Sequence, residues 1–288
     1  MTDHREVWVK AADGLTLFAR DYGPETSARM PALCLSGLTR NSRDFEVLAP
    51  ALALERRVIA MDYRGRGRSA YAADGSSYRP DVELHDALTL LNHLAIPRVA
   101  VIGTSRGGIV SLLMAAHAPD RLAGVLFNDI GPVIETAGLV RISAYLGRTG
   151  TIATWAEAIT AVKRINPGFP GLSDAMWRNF AGRIFNEAEG GLTLAYDARL
   201  ADNFPSLEAI QSKPAVPLWE PFGGLAGKPV AVLRGENSDL LSAETVAGMA
   251  ARHPGLIAAS VANRGHVPFL DEPESKATIA RWLDAVDR

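Results

Sequence analysis

Cysteine is almost absent from this chain. Cys34 stands alone among 288 residues, so no intrachain disulfide can form and burial must hold the fold together. The lack fits a reducing compartment, and a cytoplasmic protein is the expectation. Charge of one sign is missing as well: 30 Lys and Arg face 32 Asp and Glu, a formal charge of −2. Binding to phosphate backbones wants a basic excess, so nucleic acid is not expected as a partner. No apolar run approaches the roughly 20 residues of a membrane-spanning helix, and residues 1–10 carry no apolar leader core. Neither a membrane nor a secretory signal is therefore expected. There is no H-E-x-x-H and no other clustered His, Cys and carboxylate spacing of the metal-site kind. No G-x-G-x-x-G follows an apolar strand, and Gly65-Arg66-Gly67 fails that pattern at its third glycine. No metal and no cofactor are expected.

What is present reads as a globular α/β protein. The composition is 48% hydrophobic and 22% charged, which excludes a disordered, collagenous or coiled-coil chain. A chain this long buries roughly 75% of its unfolded surface, so a large core needs no staple. Val7 to Val9 and Leu15 to Asp21 read as two strands around Asp13-Gly14, a strong hairpin signal. Ala32 to Leu35, Val58 to Met61, Val99 to Gly103, Ala123 to Phe127 and Val230 to Leu233 are short continuous apolar runs, as expected of strands buried on both faces. Leu256 to Val261 is an eighth candidate. Helical stripes lie between most of them: Phe45/Leu48/Ala49/Leu52, Leu84/Ala87/Leu88/Leu91, Ile109/Leu112/Leu113/Ala116, Val246/Met249/Ala250 and Ile279/Leu283/Val286. The alternation predicts a doubly wound, mostly parallel, eight-stranded sheet with helices on both sides.

One region breaks the alternation. Between Pro132 and Pro217 no buried strand is evident, and helical stretches are expected at Leu139–Leu146, Thr154–Ile165, Asp174–Phe185 and Leu192–Asn203. Turn signals separate them: Asn166-Pro167-Gly168, Phe169-Pro170-Gly171 and Gly190-Gly191. The expected division is a core of residues 1–131 and 218–288, with residues 132–217 forming an inserted helical cap. Pro214 to Pro221 reads as the return linker. The insertion's aromatics are expected to pack it, with one or two lining a pocket beneath.

The chemistry is concentrated in Val99-Ala100-Val101-Ile102-Gly103-Thr104-Ser105-Arg106-Gly107-Gly108. This is G-x-S-x-G between an apolar strand and an amphipathic helix, a context that gives a weak pattern its force. The tight turn projects the serine hydroxyl at the carboxyl end of the sheet, beside a helix N-terminus that favours negative charge. Gly103 and Gly107 remove side chains where strand and helix approach. A serine hydroxyl needs a base, and the base needs an orienting partner. His4, His85, His93, His117 and His253 sit on helices, at helix ends or near a terminus and read as structural. His266 lies in Asn263-Arg264-Gly265-His266-Val267-Pro268-Phe269, just past the last strand, on the same sheet edge as Ser105. The orienting acid should leave a strand end on that edge. Asp239, in the loop after Val230–Leu233, is the choice; Glu236 in the same loop and Asp129 after Ala123–Phe127 are the competitors.

Together these residues resemble the α/β-hydrolase superfamily over nearly the whole chain, apart from most of residues 132–217. Asp62-Tyr63-Arg64-Gly65-Arg66-Gly67-Arg68-Ser69 is similar to its D-x-R-G-x-G-x-S turn, and Gly103 to Gly108 to its nucleophile turn. Gly235 to Leu241 resembles its acid loop and Arg264-Gly265-His266 its histidine loop. The order Ser105, Asp239, His266 is that superfamily's chain order. One motif departs: many members carry His-Gly after the third strand, where this chain has Leu35-Ser36-Gly37-Leu38-Thr39-Arg40. The resemblance implies an oxyanion hole built from the backbone N–H groups of Leu38 and Arg106.

The expected function is acyl transfer on a small carboxylic ester or lactone by a serine esterase of the hydrolase class, with a small-molecule substrate as the partner. Amide or C–C bond hydrolysis on the same triad stays open, as does a non-catalytic small-molecule receptor. Haloalkane and epoxide chemistry use a carboxylate where this chain has Ser105. Arg40, and the Arg106 side chain, are candidates to pair with a substrate carboxylate, whereas Arg64, Arg66 and Arg68 are expected to brace loops.

Overall fold

A computed structural model describes residues 4–148 and 152–288. All eight expected strands join one sheet: β1 (Arg5–Lys10), β2 (Thr16–Tyr22), β3 (Ala32–Leu35), β4 (Val58–Asp62), β5 (Val99–Thr104), β6 (Leu122–Asn128), β9 (Val230–Gly235) and β10 (Ile257–Val261). Their order is β1-β2-β4-β3-β5-β6-β9-β10. The hairpin β1–β2 is antiparallel and lies antiparallel on β4, and every later pairing is parallel. Gly14 closes the hairpin turn at φ 85°, a conformation open to glycine.

The sheet divides two apolar cores, and strand alternation decides which residue enters which. Ile59 and Met61 of β4 and Val99 and Val101 of β5 join one core, with Leu84, Leu91, Val110 and Met114. Their neighbours Val58, Ala60, Ala100 and Ile102 join the other, with Leu48, Ile279 and Trp282. Thus α2 (Pro80–His93) and α3 (Arg106–His117) cover one face, while α1 (Leu48–Leu52) and α10 (Pro273–Val286) cover the other. Burial on both sides is why the central strands carry no polar alternation.

The segment between β6 and β9 contains α4 (Thr136–Ser143), α5 (Trp155–Ile165), α6 (Asp174–Ile184), α7 (Leu207–Ser212) and α8 (Trp219–Gly223). It also contains a two-stranded antiparallel hairpin, β7 (Phe185–Ala188) with β8 (Gly191–Leu194). The helix expected over Leu192–Asn203 is therefore corrected. Gly190 and Gly191 adopt positive φ and turn the chain back, and only Ala198–Asn203 winds, as a 3₁₀ helix. The expected linker at Pro214–Pro221 runs into α8. Ala158, Val162, Phe169, Trp177, Phe180, Phe185 and Leu192 give this segment an apolar cluster of its own, joined by Phe269 from the histidine loop. α9 (Ala243–Arg252) precedes β10. Among the described residues no helix is long and apolar enough to cross a membrane.

Candidate active site

The parallel strands deliver their following loops to one edge, the usual place for a site in such sheets. At the end of β5 the chain turns sharply at Ser105, which sits at φ 50° and ψ −110°. That is a strained region for a side-chain-bearing residue. The packing that holds it is tight: a Cβ on Gly107 would lie 2.2 Å from the Leu35 carbonyl oxygen, and one on Gly103 2.7 Å from that of Gly107. Only glycine lets β3, β5 and α3 approach this closely.

Ser105 Oγ lies 2.8 Å from His266 Nε2, so the hydroxyl can donate to the imidazole. On the other side of the ring, Nδ1 lies 2.8 Å from Asp129 Oδ2. Asp129 is fully buried at the end of β6 and is a crowded acceptor. The Gly235 N–H donates to its Oδ1 at 2.7 Å, and the Ser238 hydroxyl donates to its Oδ2 at 2.7 Å. The histidine loop is fixed from both sides. Asn237 N–H donates to the Arg264 carbonyl at 2.8 Å, and Phe169 stacks on Phe269 with centroids 5.5 Å apart.

The expectation for Asp239 is corrected by this geometry. Its carboxylate accepts from Arg141 Nε at 2.5 Å and Nη2 at 2.8 Å, and makes no hydrogen bond to His266. Burial alone would push the Asp239 carboxyl up; the Arg141 guanidinium outweighs it and holds the group below its ordinary range. The loop after β9 thus supplies donors to Asp129, the carboxylate that meets the ring. Glu236, the first competitor, accepts from the Asn263 N–H at 3.0 Å. Asp129, the second, reaches the ring. Its signal in the sequence is a buried strand ending directly in Asn128-Asp129 before Gly131-Pro132.

The backbone around Leu38 and Arg106 is oriented by its neighbours. Arg40 N–H donates to the Gly37 carbonyl at 3.1 Å, and Gly108 N–H to the Ser105 carbonyl at 2.9 Å. In a trans peptide the N–H points opposite the carbonyl. The Leu38 and Arg106 N–H groups are therefore turned away from these two bonds, and among the described residues neither donates to a protein acceptor. Arg66, deep in the interior, donates from Nε to the Leu38 carbonyl at 2.8 Å and pins the loop. Ser36 is buried with no hydrogen-bond partner for its hydroxyl. The loop's shape rests on backbone bonds, including Gly107 N–H to the Ser36 carbonyl at 3.1 Å.

The arginines sort by partner. The Arg106 side chain donates to buried Glu83 at 2.6 Å and to the Tyr78 carbonyl at 3.1 Å, so it braces the turn at Ser105 and does not face the cavity. Arg64 pairs with Asp86 and Asp13, and Arg68 with Glu6. Arg40 does line the cavity, but Asp44 binds it at 2.6 Å and Phe180 lies under its guanidinium, 4.8 Å away.

Ser105 and His266 open into a cavity of about 580 Å³. Its far wall comes from residues between β6 and β9, including Tyr145, Ile165, Phe180, Phe185 and Tyr196. The aromatics between β6 and β9 therefore both pack that segment and line the pocket.

A family model described as "Alpha/beta hydrolase family" matches residues 32–277. The chain is 35% identical over 269 residues to a 3-hydroxybutyrate-oligomer hydrolase of Cupriavidus necator, covering 91% of each. It is 29% identical over 257 residues to a 2-(acetamidomethylene)succinate hydrolase of Mesorhizobium japonicum, covering 88% of this chain and 87% of that one. A crystal structure of an alpha/beta hydrolase from Novosphingobium aromaticivorans superposes with a TM-score of 0.92 at 40% identity, covering 99% of both chains. On its fold, its motif placement and these matches, the chain belongs to the alpha/beta hydrolase family.

Proposed function

We propose that this chain is a serine hydrolase that cleaves a small carboxylic ester by two-step acyl transfer, with Ser105 as nucleophile, His266 as base and Asp129 as the orienting acid. The observation that carries this is the continuous chain of hydrogen bonds from Ser105 Oγ through both ring nitrogens to Asp129. His266 takes the hydroxyl proton as Oγ attacks the carbonyl carbon. The Leu38 and Arg106 N–H groups receive the oxyanion, each worth roughly 2.7–4 kcal/mol in the transition state. The imidazolium, stabilised by Asp129, protonates the leaving alkoxide. Water deprotonated by the same ring then attacks the acyl-enzyme, and the acid leaves. Residues 132–217 act as the cap that shapes the substrate pocket over the core of residues 1–131 and 218–288.

The substrate we favour is an ester of a hydroxy acid. The Cupriavidus necator relative is named for oligomers of 3-hydroxybutyrate, and hydroxy-acid oligomers are chains of such esters. The Mesorhizobium japonicum relative keeps amide cleavage as a second reading. Turnover of p-nitrophenyl acetate tests the proposal. Wild type should turn over, and Ser105→Ala should lower kcat by roughly 10⁶. Wild-type protein that binds esters without ever cleaving them would instead mark a receptor.

A further inference from the structure

We infer that the cavity selects esters whose leaving alcohol carries a carboxylate, and that Arg148, Arg164 and Arg183 of the insertion hold that anion. The inference rests on the ester-hydrolase reading above. Among the described residues four arginines from four separate places line the same cavity: Arg40 after β3, Arg148 after α4, Arg164 on α5 and Arg183 on α6. Among the described residues the lining contains a single carboxylate residue, Asp44, and that group is bonded to Arg40. Among the described residues no side-chain hydrogen bond or ion pair engages the guanidinium groups of Arg148, Arg164 and Arg183; Arg148 and Arg164 are exposed and Arg183 is half-buried. They stand on the insertion's side of a cavity whose floor is Ser105 and His266, in a chain of net charge −2. A cleft of one sign with low-dielectric walls focuses its field and concentrates a ligand of the opposite sign.

Guanidinium matches carboxylate geometry with two parallel hydrogen bonds, so the fitting ligand is a carboxylate rather than a diffuse anion. In an oligoester of a hydroxy acid, the free carboxylate belongs to the alcohol expelled at the terminal bond. Cleavage of that bond adds water across the ester: the acyl carbon gains hydroxyl, and the alkoxide gains the proton from His266. An anchored terminal carboxylate therefore makes the enzyme act from the acid end of the chain.

The test compares the free-acid dimer of 3-hydroxybutyrate with its methyl ester, with p-nitrophenyl butyrate as a neutral control. Wild type should prefer the free acid by about 10- to 100-fold in kcat/KM, roughly the worth of one charge-assisted hydrogen bond. The preference should shrink as salt is raised. Arg164→Gln combined with Arg148→Gln should bring the ratio toward one, chiefly through KM, and Arg→Lys at both positions should restore part of it. The ratio is measured within each preparation, so a loss of folded protein lowers both rates alike and leaves it intact. A wild-type ratio near one, or an unchanged ratio in the glutamine variant, overturns the carboxylate anchor. Failure to cleave any of the three substrates, p-nitrophenyl butyrate included, overturns the ester-hydrolase reading instead.

Discussion

Arg141 of α4 grips Asp239 through two hydrogen bonds, joining the segment that follows β6 to the loop that follows β9. The same guanidinium reaches the Ile165 carbonyl at 3.5 Å, at the end of α5. Two carboxylates thus stand on neighbouring loops at the sheet edge. Asp239 is committed to this clamp, and Asp129 is committed to His266.

That division of labour predicts opposite phenotypes for two conservative changes. Asp129→Asn should lower kcat on the order of 10⁴. Asp239→Asn should keep kcat within about tenfold of wild type and lower stability by roughly 1 kcal/mol, the usual worth of a partly exposed ion pair. Steady-state kinetics and thermal melts of the two variants check this; the reverse pattern would return the acid role to Asp239.

The turn at Ser105 should be intolerant of a single methyl group. A Cβ on Gly107 would meet the Leu35 carbonyl oxygen at 2.2 Å, and that atom belongs to β3 and cannot swing aside. Gly107→Ala should therefore cost about 1–3 kcal/mol or more. It should also reduce kcat by displacing Ser105. Gly171→Ala has open space around its Cβ but a φ of 77°, so it should cost stability through backbone strain while leaving kcat near wild type. Denaturant melts and kinetics on the pair separate the two effects.

Glu83 is the buried hub beneath the site. It accepts from Arg106 Nε at 2.6 Å and makes a charge contact with Arg66 Nη2 at 2.8 Å that is not aligned as a hydrogen bond. Burial pushes its carboxyl up, but the two guanidinium groups more than reverse this and leave it below its ordinary value of 4.5. A depressed folded-state pKa gives stability that is fully present above the unfolded value and is lost as pH falls through the folded one. Acid titration of the fold should therefore show part of its loss below 4.5. Glu83→Gln should remove that part and, by leaving buried Arg66 and half-buried Arg106 without their shared carboxylate, cost about 3–5 kcal/mol at neutral pH. Melts from neutral to acidic pH on both proteins check the sign.

Much of this is legible in the sequence. The eight strands were visible because burial on both faces forbids polar residues in short runs such as Val99 to Gly103. Ser105 and His266 were visible because each depends on local constraints: glycines that permit a tight turn, and a loop placed directly after a strand. The hairpin β7–β8 was not visible, since its strands are four residues each and alternate too briefly to show a period of two. Asp129 and Asp239 both follow strands on the same edge, and the sequence of neither loop says which of them meets the ring.

The order of residues along the chain thus determined the sheet, its layering and the corner that presents Ser105, because these follow from short-range periodicity and steric exclusion. Which carboxylate meets the imidazole was decided only in three dimensions. A guanidinium 98 positions away in the chain occupies Asp239, while donors from Gly235 and Ser238 hold Asp129 in line with the ring. Long-range pairing of buried charges has no signature in local sequence, since each partner is an ordinary polar residue until the fold brings them together.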